Sequence, residues 1–65
     1  MKILVIEDDA NISFALERFF AAQGDEVTTC LNLEEAFQIH PERQDFIILD
    51  LNLPDGDGFE YLSYI

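Results

Sequence analysis

Sixty-five residues is short for a free-standing domain: near 60 residues a fold hides only roughly 60% of its unfolded surface, and common domains run to about 100–150. Yet the chain is 49% hydrophobic, with six Phe and two Tyr, which excludes a disordered tail. Fourteen acidic residues stand against Lys2, Arg18 and Arg43, a formal net charge of −11. That balance excludes binding of nucleic acid or an anionic membrane by this segment, because both need clustered Lys and Arg to displace counterions.

The chain opens on Lys2-Ile-Leu-Val-Ile6, a β-branched apolar run without alternation, which predicts a strand buried on both faces as in parallel sheets. It is too short for a secretory signal and is followed at once by acids. Glu7, Asp8 and Asp9 come next. Ala10 to Gln23 then reads as a helix with Ile12, Leu16, Phe19 and Phe20 as its core stripe and Gly24 as its stop. Phe14 falls off that stripe and is expected to be an exposed aromatic. Glu26–Cys30 is a second strand. Cys30 is the only cysteine, so there is no intrachain disulfide, and a free buried thiol suits a reducing cytoplasm.

Asn32 with Glu35 forms a capping-box-like start for a second helix carrying Leu33, Ala36, Phe37 and His40 on one side, ended by Pro41. His40 there suits packing and the helix dipole better than phosphoryl transfer or metal ligation. Phe46-Ile-Ile-Leu49 is a third doubly buried strand and finishes at Asp50. Leu51 to Gly58 reads as loop, and Asp57 with Glu60 as the start of a third helix from Phe59, in which Tyr61 and Tyr64 are packing and rim residues. The helix runs out at Ile65 with no closing glycine or basic residue, which predicts truncation. No apolar run approaches the ~18 residues of a membrane span.

The order β-α-β-α-β-α requires a parallel α/β sheet without an internal boundary. Ligands of such sheets bind beyond the carboxyl ends of the strands. Here the first strand ends in Glu7-Asp8-Asp9 and the third in Asp50. If the two strands are neighbours, at least three carboxylates converge. Two like charges 4 Å apart repel by about 4 kcal/mol at an effective dielectric of 20, so such a cluster calls for a cation, and an all-oxygen set suits Mg²⁺. A carboxylate is also a competent nucleophile toward phosphorus.

Ile3-Leu-Val-Ile-Glu-Asp-Asp-Ala10, with Ile48-Leu-Asp-Leu-Asn-Leu-Pro-Asp-Gly-Asp-Gly58 some forty residues on, resembles a bacterial two-component response-regulator receiver domain. The resemblance implies a flavodoxin-like (CheY-like) doubly wound fold, of which residues 1–65 would supply the first three β-α units with strand order 2-1-3. It implies that Asp50 is the phospho-acceptor, charged by a sensor histidine kinase. It implies that Mg²⁺ is held by Glu7, Asp8 and Asp50 and by the backbone carbonyl of Asn52, with Asp8 as a direct ligand and Glu7 acting largely through water. Pro54 and Gly58 match the turn after the acceptor strand, and Gly58 is expected to take a backbone conformation denied to other residues. Asp9 is either a further acid of the site or only a helix starter.

Receivers also use a Ser/Thr ending a fourth strand and a Lys ending a fifth. Neither strand is present in these residues, which implies impaired phosphorylation and switching. The chain is thus expected to be a cytoplasmic phospho-accepting module and not an enzyme. Three other readings stand beside it. A calcium loop of EF-hand type starting at Asp50 fails by register, since its fifth and sixth places hold Pro54 and Asp55 rather than Asp/Asn and Gly. A phosphatase would need a second acid near Asp50, and Asn52 stands where it could be. A self-associating half-domain is favoured by the apolar third strand, which without a fourth becomes an open edge inviting a second copy.

Overall fold

A computed structural model describes residues 1–65. Three parallel strands form one sheet in the order β2-β1-β3, with β1 at Lys2–Ile6, β2 at Glu26–Cys30 and β3 at Phe46–Leu49. The bounds of β1 and β3 coincide with the apolar runs of the sequence and those of β2 with the expected second strand. But β3 is not doubly buried: at the sheet edge it has Phe46 exposed and Ile47, Ile48 and Leu49 half-buried. Register runs Lys2 to Glu26 and Ile6 to Cys30 on one side of β1, and Ile3 to Phe46 and Ile6 to Leu49 on the other. Flanked on both sides, Ile3, Leu4, Val5 and Ile6 are all 0% exposed. Burying such side chains is worth about 1.5–3 kcal/mol each, which makes β1 the spine of the fold.

Strand alternation sends Leu4 and Ile6 to one face, where they join Cys30, Leu33, Ala36, Leu53 and Tyr61 in the core, with Ile39, Ile47 and Leu49 packed against it. Helices α2 (Leu33–Phe37) and α3 (Gly58–Tyr64) cover this face. Helix α1 (Ala10–Ala21) packs mainly over β2 and β1. It does so with a different stripe from the expected one. Ser13 is buried and Leu16 and Phe20 are half-buried, whereas Ile12 and Phe19 are about half exposed or more, at 49% and 60%. A small Ser at the contact lets the helix lie close to the sheet, and the row Ser13, Leu16, Phe20 (i, i+3, i+7) faces inward instead. Phe14 is exposed as expected, with the Arg18 guanidinium 5.5 Å from its ring centre.

The other helices also depart from the expected bounds. The first ends at Ala21 rather than Gln23, and Gly24 (φ 88°) makes the left-handed turn out of it. The second stops at Phe37, followed by a 3-10 turn at Pro41–Arg43. His40 therefore lies outside the helix, exposed, with its Nδ1 3.1 Å from Glu42 Oε1, and takes no part in core packing. Proline at the first position of the 3-10 turn imposes the break earlier than the apolar pattern suggests. The segment expected to be loop contains a small antiparallel hairpin, β4 (Asn52–Leu53) with β5 (Gly56–Asp57).

Tyr61 and Tyr64 divide as expected: Tyr61 is 0% exposed and Tyr64 53%. Tyr61 stacks near Phe37, ring centres 5.9 Å apart, but its buried hydroxyl has no hydrogen-bond partner. An unsatisfied buried polar group costs about 1–3 kcal/mol. Tyr61→Phe should accordingly stabilise the fold by about 1 kcal/mol, raising the thermal midpoint by about 4 °C or more. A lowered midpoint would show that the hydroxyl is paired.

Candidate functional site

The first and third strands end side by side, and the backbone holds their exits. Asp50 N donates to Ile6 O at 2.9 Å across β1 and β3, while on the other side of β1 Glu7 N donates to Cys30 O of β2 at 3.0 Å. The sheet therefore delivers Glu7, Asp8 and Asp50 to one rim, with one carboxylate oxygen of each within 4.8 Å of the others. This is the convergence expected from the two acidic strand ends. Asp9 is not part of it: its carboxylate caps α1, accepting from Asn11 N at 2.9 Å and Ile12 N at 3.3 Å.

Asn52 N donates to Asp50 Oδ1 at 3.1 Å, fixing one oxygen of that carboxylate. Gly58 closes the loop from the other side, its N–H donating to Leu51 O at 3.0 Å. A Cβ on Gly58 would sit 2.9 Å from Leu51 Cα and closer still to Asp50 O. Gly58 is thus required for close backbone approach. It is not among the residues with positive φ, contrary to the expectation of a special backbone conformation.

The remaining acids of the loop are spent on helix ends. Asp57 caps α3 through Phe59 N at 2.7 Å, in a capping box completed by Glu60. Asp55 turns away to accept from Leu33 N and Glu34 N at the start of α2. These carboxylates cannot close around an ion with Asp50, so the loop does not form a calcium cage. The capping box expected at Asn32 is half realised: Asn32 Oδ1 accepts from Glu35 N, while Glu35 reaches one residue further back to Leu31 N. The Asp55 contact was beyond sequence reasoning, since it joins residues 21 and 22 apart in the chain.

Electrostatics mark the rim as charge-starved of cations. Burial, followed by the hydrogen bond and charge of Asp50 and the charge of Asp8, pushes the Glu7 carboxyl up to about 7. Asp50 is held below its usual value, first by the Asn52 N–H and then by the hydrogen bond from Glu7. Glu7 therefore keeps its proton to higher pH than a free glutamate, while Asp50 is the ionised partner. Cys30, by contrast, is an inert core thiol, pushed up to about 11 by burial. The donor set is hard oxygen only, on one rim and closely spaced, which fits Mg²⁺.

Residues 3–65 match the response regulator receiver domain, and the chain belongs to that family. It is 41% identical over 66 residues to the transcriptional regulatory protein FlgR of Helicobacter pylori, a match covering 100% of this chain and 17% of that protein. It is 43% identical over 65 residues to the transcriptional regulatory protein KdpE of Staphylococcus aureus, covering 98% of this chain and 28% of that protein. Among solved structures, the non-phosphorylated HemR receiver domain from Leptospira biflexa superposes with a TM-score of 0.92 at 31% identity, covering 97% of this chain and 52% of that one. The response regulator TrrA from Thermotoga maritima, in complex with Mg²⁺-BeF, superposes with a TM-score of 0.87 at 34% identity, covering 98% and 56%. The chain thus spans about half of these solved receivers and a smaller share of the curated regulators.

The raised Glu7 carboxyl has a definite consequence for stability. An acid raised in the folded state keeps its proton longer there than in the unfolded chain. Its contribution is fully present below the unfolded value of 4.5 and is lost as pH rises through about 7. Asp50, shifted the other way, stays ionised throughout this window and adds no slope. In metal-free buffer the unfolding midpoint should fall between pH 5 and 8, and Glu7→Gln should flatten that fall. Equal slopes for both chains would show that Glu7 does not hold the proton.

Proposed function

We propose that this chain is the phospho-accepting part of a two-component receiver, with Asp50 as acceptor and Mg²⁺ held by Glu7, Asp8, Asp50 and the Asn52 carbonyl. The convergence of three carboxylates at the ends of β1 and β3 is the observation that carries the reading. Support for the ion comes from the oxygen-only donor set and from TrrA, whose structure is a complex with Mg²⁺-BeF. When bound, Mg²⁺ supplies the positive charge that offsets repulsion between the carboxylates and the incoming phosphoryl group.

In the step itself, a carboxylate oxygen of Asp50 attacks the phosphorus of a phosphohistidine on a sensor kinase. A P–O bond forms, the P–N bond breaks, and the imidazole leaves with a proton from solvent. The product is an acyl phosphate. Asn52 N–H orients the Asp50 carboxylate through one of its oxygens. Positioning and charge neutralisation supply most of such catalysis. The chain accepts and holds a phosphoryl group and does not turn over a substrate, so it is a signalling module and not an enzyme. The free thiol of Cys30 suits a cytoplasmic setting. No helix is long and apolar enough to cross a membrane.

Within the 65 residues no cation stands beside Asp50. Lys2 begins β1 at the opposite end of the sheet, Arg18 lies against Phe14 on α1, and Arg43 is in the 3-10 turn. With no lysine to meet the phosphoryl oxygens, this polypeptide should label weakly. Intact-mass measurement after a small-molecule phosphodonor and Mg²⁺ should show a minor singly phosphorylated species that Asp50→Asn abolishes. Equal, undetectable labelling of both chains would remove the acceptor role from this polypeptide.

A second reading concerns partners. β3 pairs with β1 alone, leaving its other edge open, and Phe46 on it is 53% exposed. Phe19, Phe59 and Leu62 add further exposed apolar surface. An open apolar edge of this kind, though only four residues long, invites pairing with a second copy about a two-fold axis. Each copy carries −11, so added salt should strengthen association by screening the repulsion. Light scattering should therefore give a mass above the monomer at micromolar concentration, reduced by Phe46→Lys. A well-folded monomer under these conditions would overturn this reading.

A further inference from the structure

Asp55 sits at the tip of the β4–β5 hairpin, yet both oxygens of its carboxylate are engaged elsewhere. Oδ1 accepts from Leu33 N at 2.8 Å and Oδ2 from Glu34 N at 2.9 Å, the first free amides of α2. Hydrogen bonds to an ionised carboxylate are the strong class, and this pair spans separations of 22 and 21 residues. The same junction is closed sterically. Gly56 is seated so near α2 that a Cβ there would lie 2.8 Å from Leu33 Cδ1. Leu53, on the other arm of the hairpin, is buried in the core cluster that contains Leu33.

The hairpin's near end reaches the acceptor. Asn52, first residue of β4, donates its N–H to Asp50 Oδ1. Asn52 is also the partner of Asp57 in the hairpin register, and Leu53 the partner of Gly56. A displacement of the Asp55 tip is therefore transmitted along two paired positions to the amide that orients Asp50.

We propose that Asp55 is a positioning residue: it clasps the hairpin to the first turn of α2 and so holds the Asp50 carboxylate in orientation for its ligand. The functional half of this rests on the reading of Asp50 as acceptor and Mg²⁺ ligand. The structural half stands on the hydrogen bonds alone. The clasp is distinct from the helix's own cap, which Asn32 provides to Glu35 N. That separation supplies the control.

The test compares Asp55→Ala, Asp55→Asn and Asn32→Ala with the parent chain by two measurements. The first is amide hydrogen exchange at Asn52 in metal-free buffer. The second is Mg²⁺ titration followed by amide chemical shifts. Asp55→Ala should speed exchange at Asn52 and weaken Mg²⁺ binding by roughly tenfold, the scale on which groups orienting a ligand act. Asp55→Asn, which keeps one acceptor oxygen, should fall between and serves if the alanine variant does not fold. Asn32→Ala weakens the same helix start without touching the hairpin, and should leave both readouts near the parent's.

Unchanged Asn52 exchange in both Asp55 variants would overturn the clasp. So would an equal loss of Mg²⁺ affinity in Asn32→Ala, since the effect would then be helix stability alone. Failure of the parent chain to bind Mg²⁺ would overturn the metal reading instead, and the metal-free Asn52 exchange would then decide the clasp by itself.

Discussion

The pairing of β1 with β3 is the constraint from which the site follows. Parallel register sets Ile6 beside Leu49, so the next residues along each strand, Glu7 and Asp50, leave the sheet together. The bond from Asp50 N to Ile6 O extends that register one step beyond the strand. A shift by one residue would turn Leu4 and Ile6 out of the core and separate the acids at once. The four fully buried residues of β1 resist that shift. Core packing and site geometry are thus secured by the same residues, and the repulsion among the carboxylates is borne by the burial behind them.

Much of this was legible because a parallel strand buried on both faces leaves an unusual trace. Lys2–Ile6 is apolar without alternation and is fully buried at Ile3, Leu4, Val5 and Ile6, whereas Phe46–Leu49, with the same pattern, sits at the sheet edge with Phe46 exposed. Each run ends abruptly in acid, so the pattern placed the acids at the strand exits even where it overstated the burial of β3. The stretch Ile48 to Gly58 then carries the resemblance to the receiver family. Family membership and the 2-1-3 strand order bear out the family and the fold expected from these runs.

Legibility stopped where more than one arrangement satisfied the local pattern. Helix α1 carries Ile12, Phe14, Leu16, Phe19 and Phe20, apolar on too many sides for periodicity to select the inward face. The face that turned inward is the one carrying the small, buried Ser13. The second helix was drawn too long because Ile39 and His40 continue its spacing, whereas Pro41 starts a different turn at that point. Two-residue strands such as Asn52–Leu53 are too short to show alternation at all. Asp55 could not be assigned its partner, because a tertiary cap has no local signature.

The distribution of acids explains why so negative a chain has one candidate site rather than a diffuse field. Asp9, Asp55 and Asp57 accept from backbone N–H groups at three helix starts, where the helix dipole also favours them. Asp45 accepts from Lys2 N at 2.7 Å, and Asp25 pairs with the N-terminal ammonium at 2.9 Å, both at the far end of the sheet. Each of these carboxylates is compensated by fixed donors. Glu7, Asp8 and Asp50 are brought together with the Asn52 N–H as the resolved donor to Asp50, while the chain's three basic side chains lie elsewhere. The deficit is therefore local, and within the chain it is relieved by the proton that Glu7 keeps to higher pH than a free glutamate. The crowding of Glu7, Asp8 and Asp50 is a liability for folding, and burial together with it pushes the Glu7 carboxyl up; a cation at this rim would relieve the part of that cost that is repulsion.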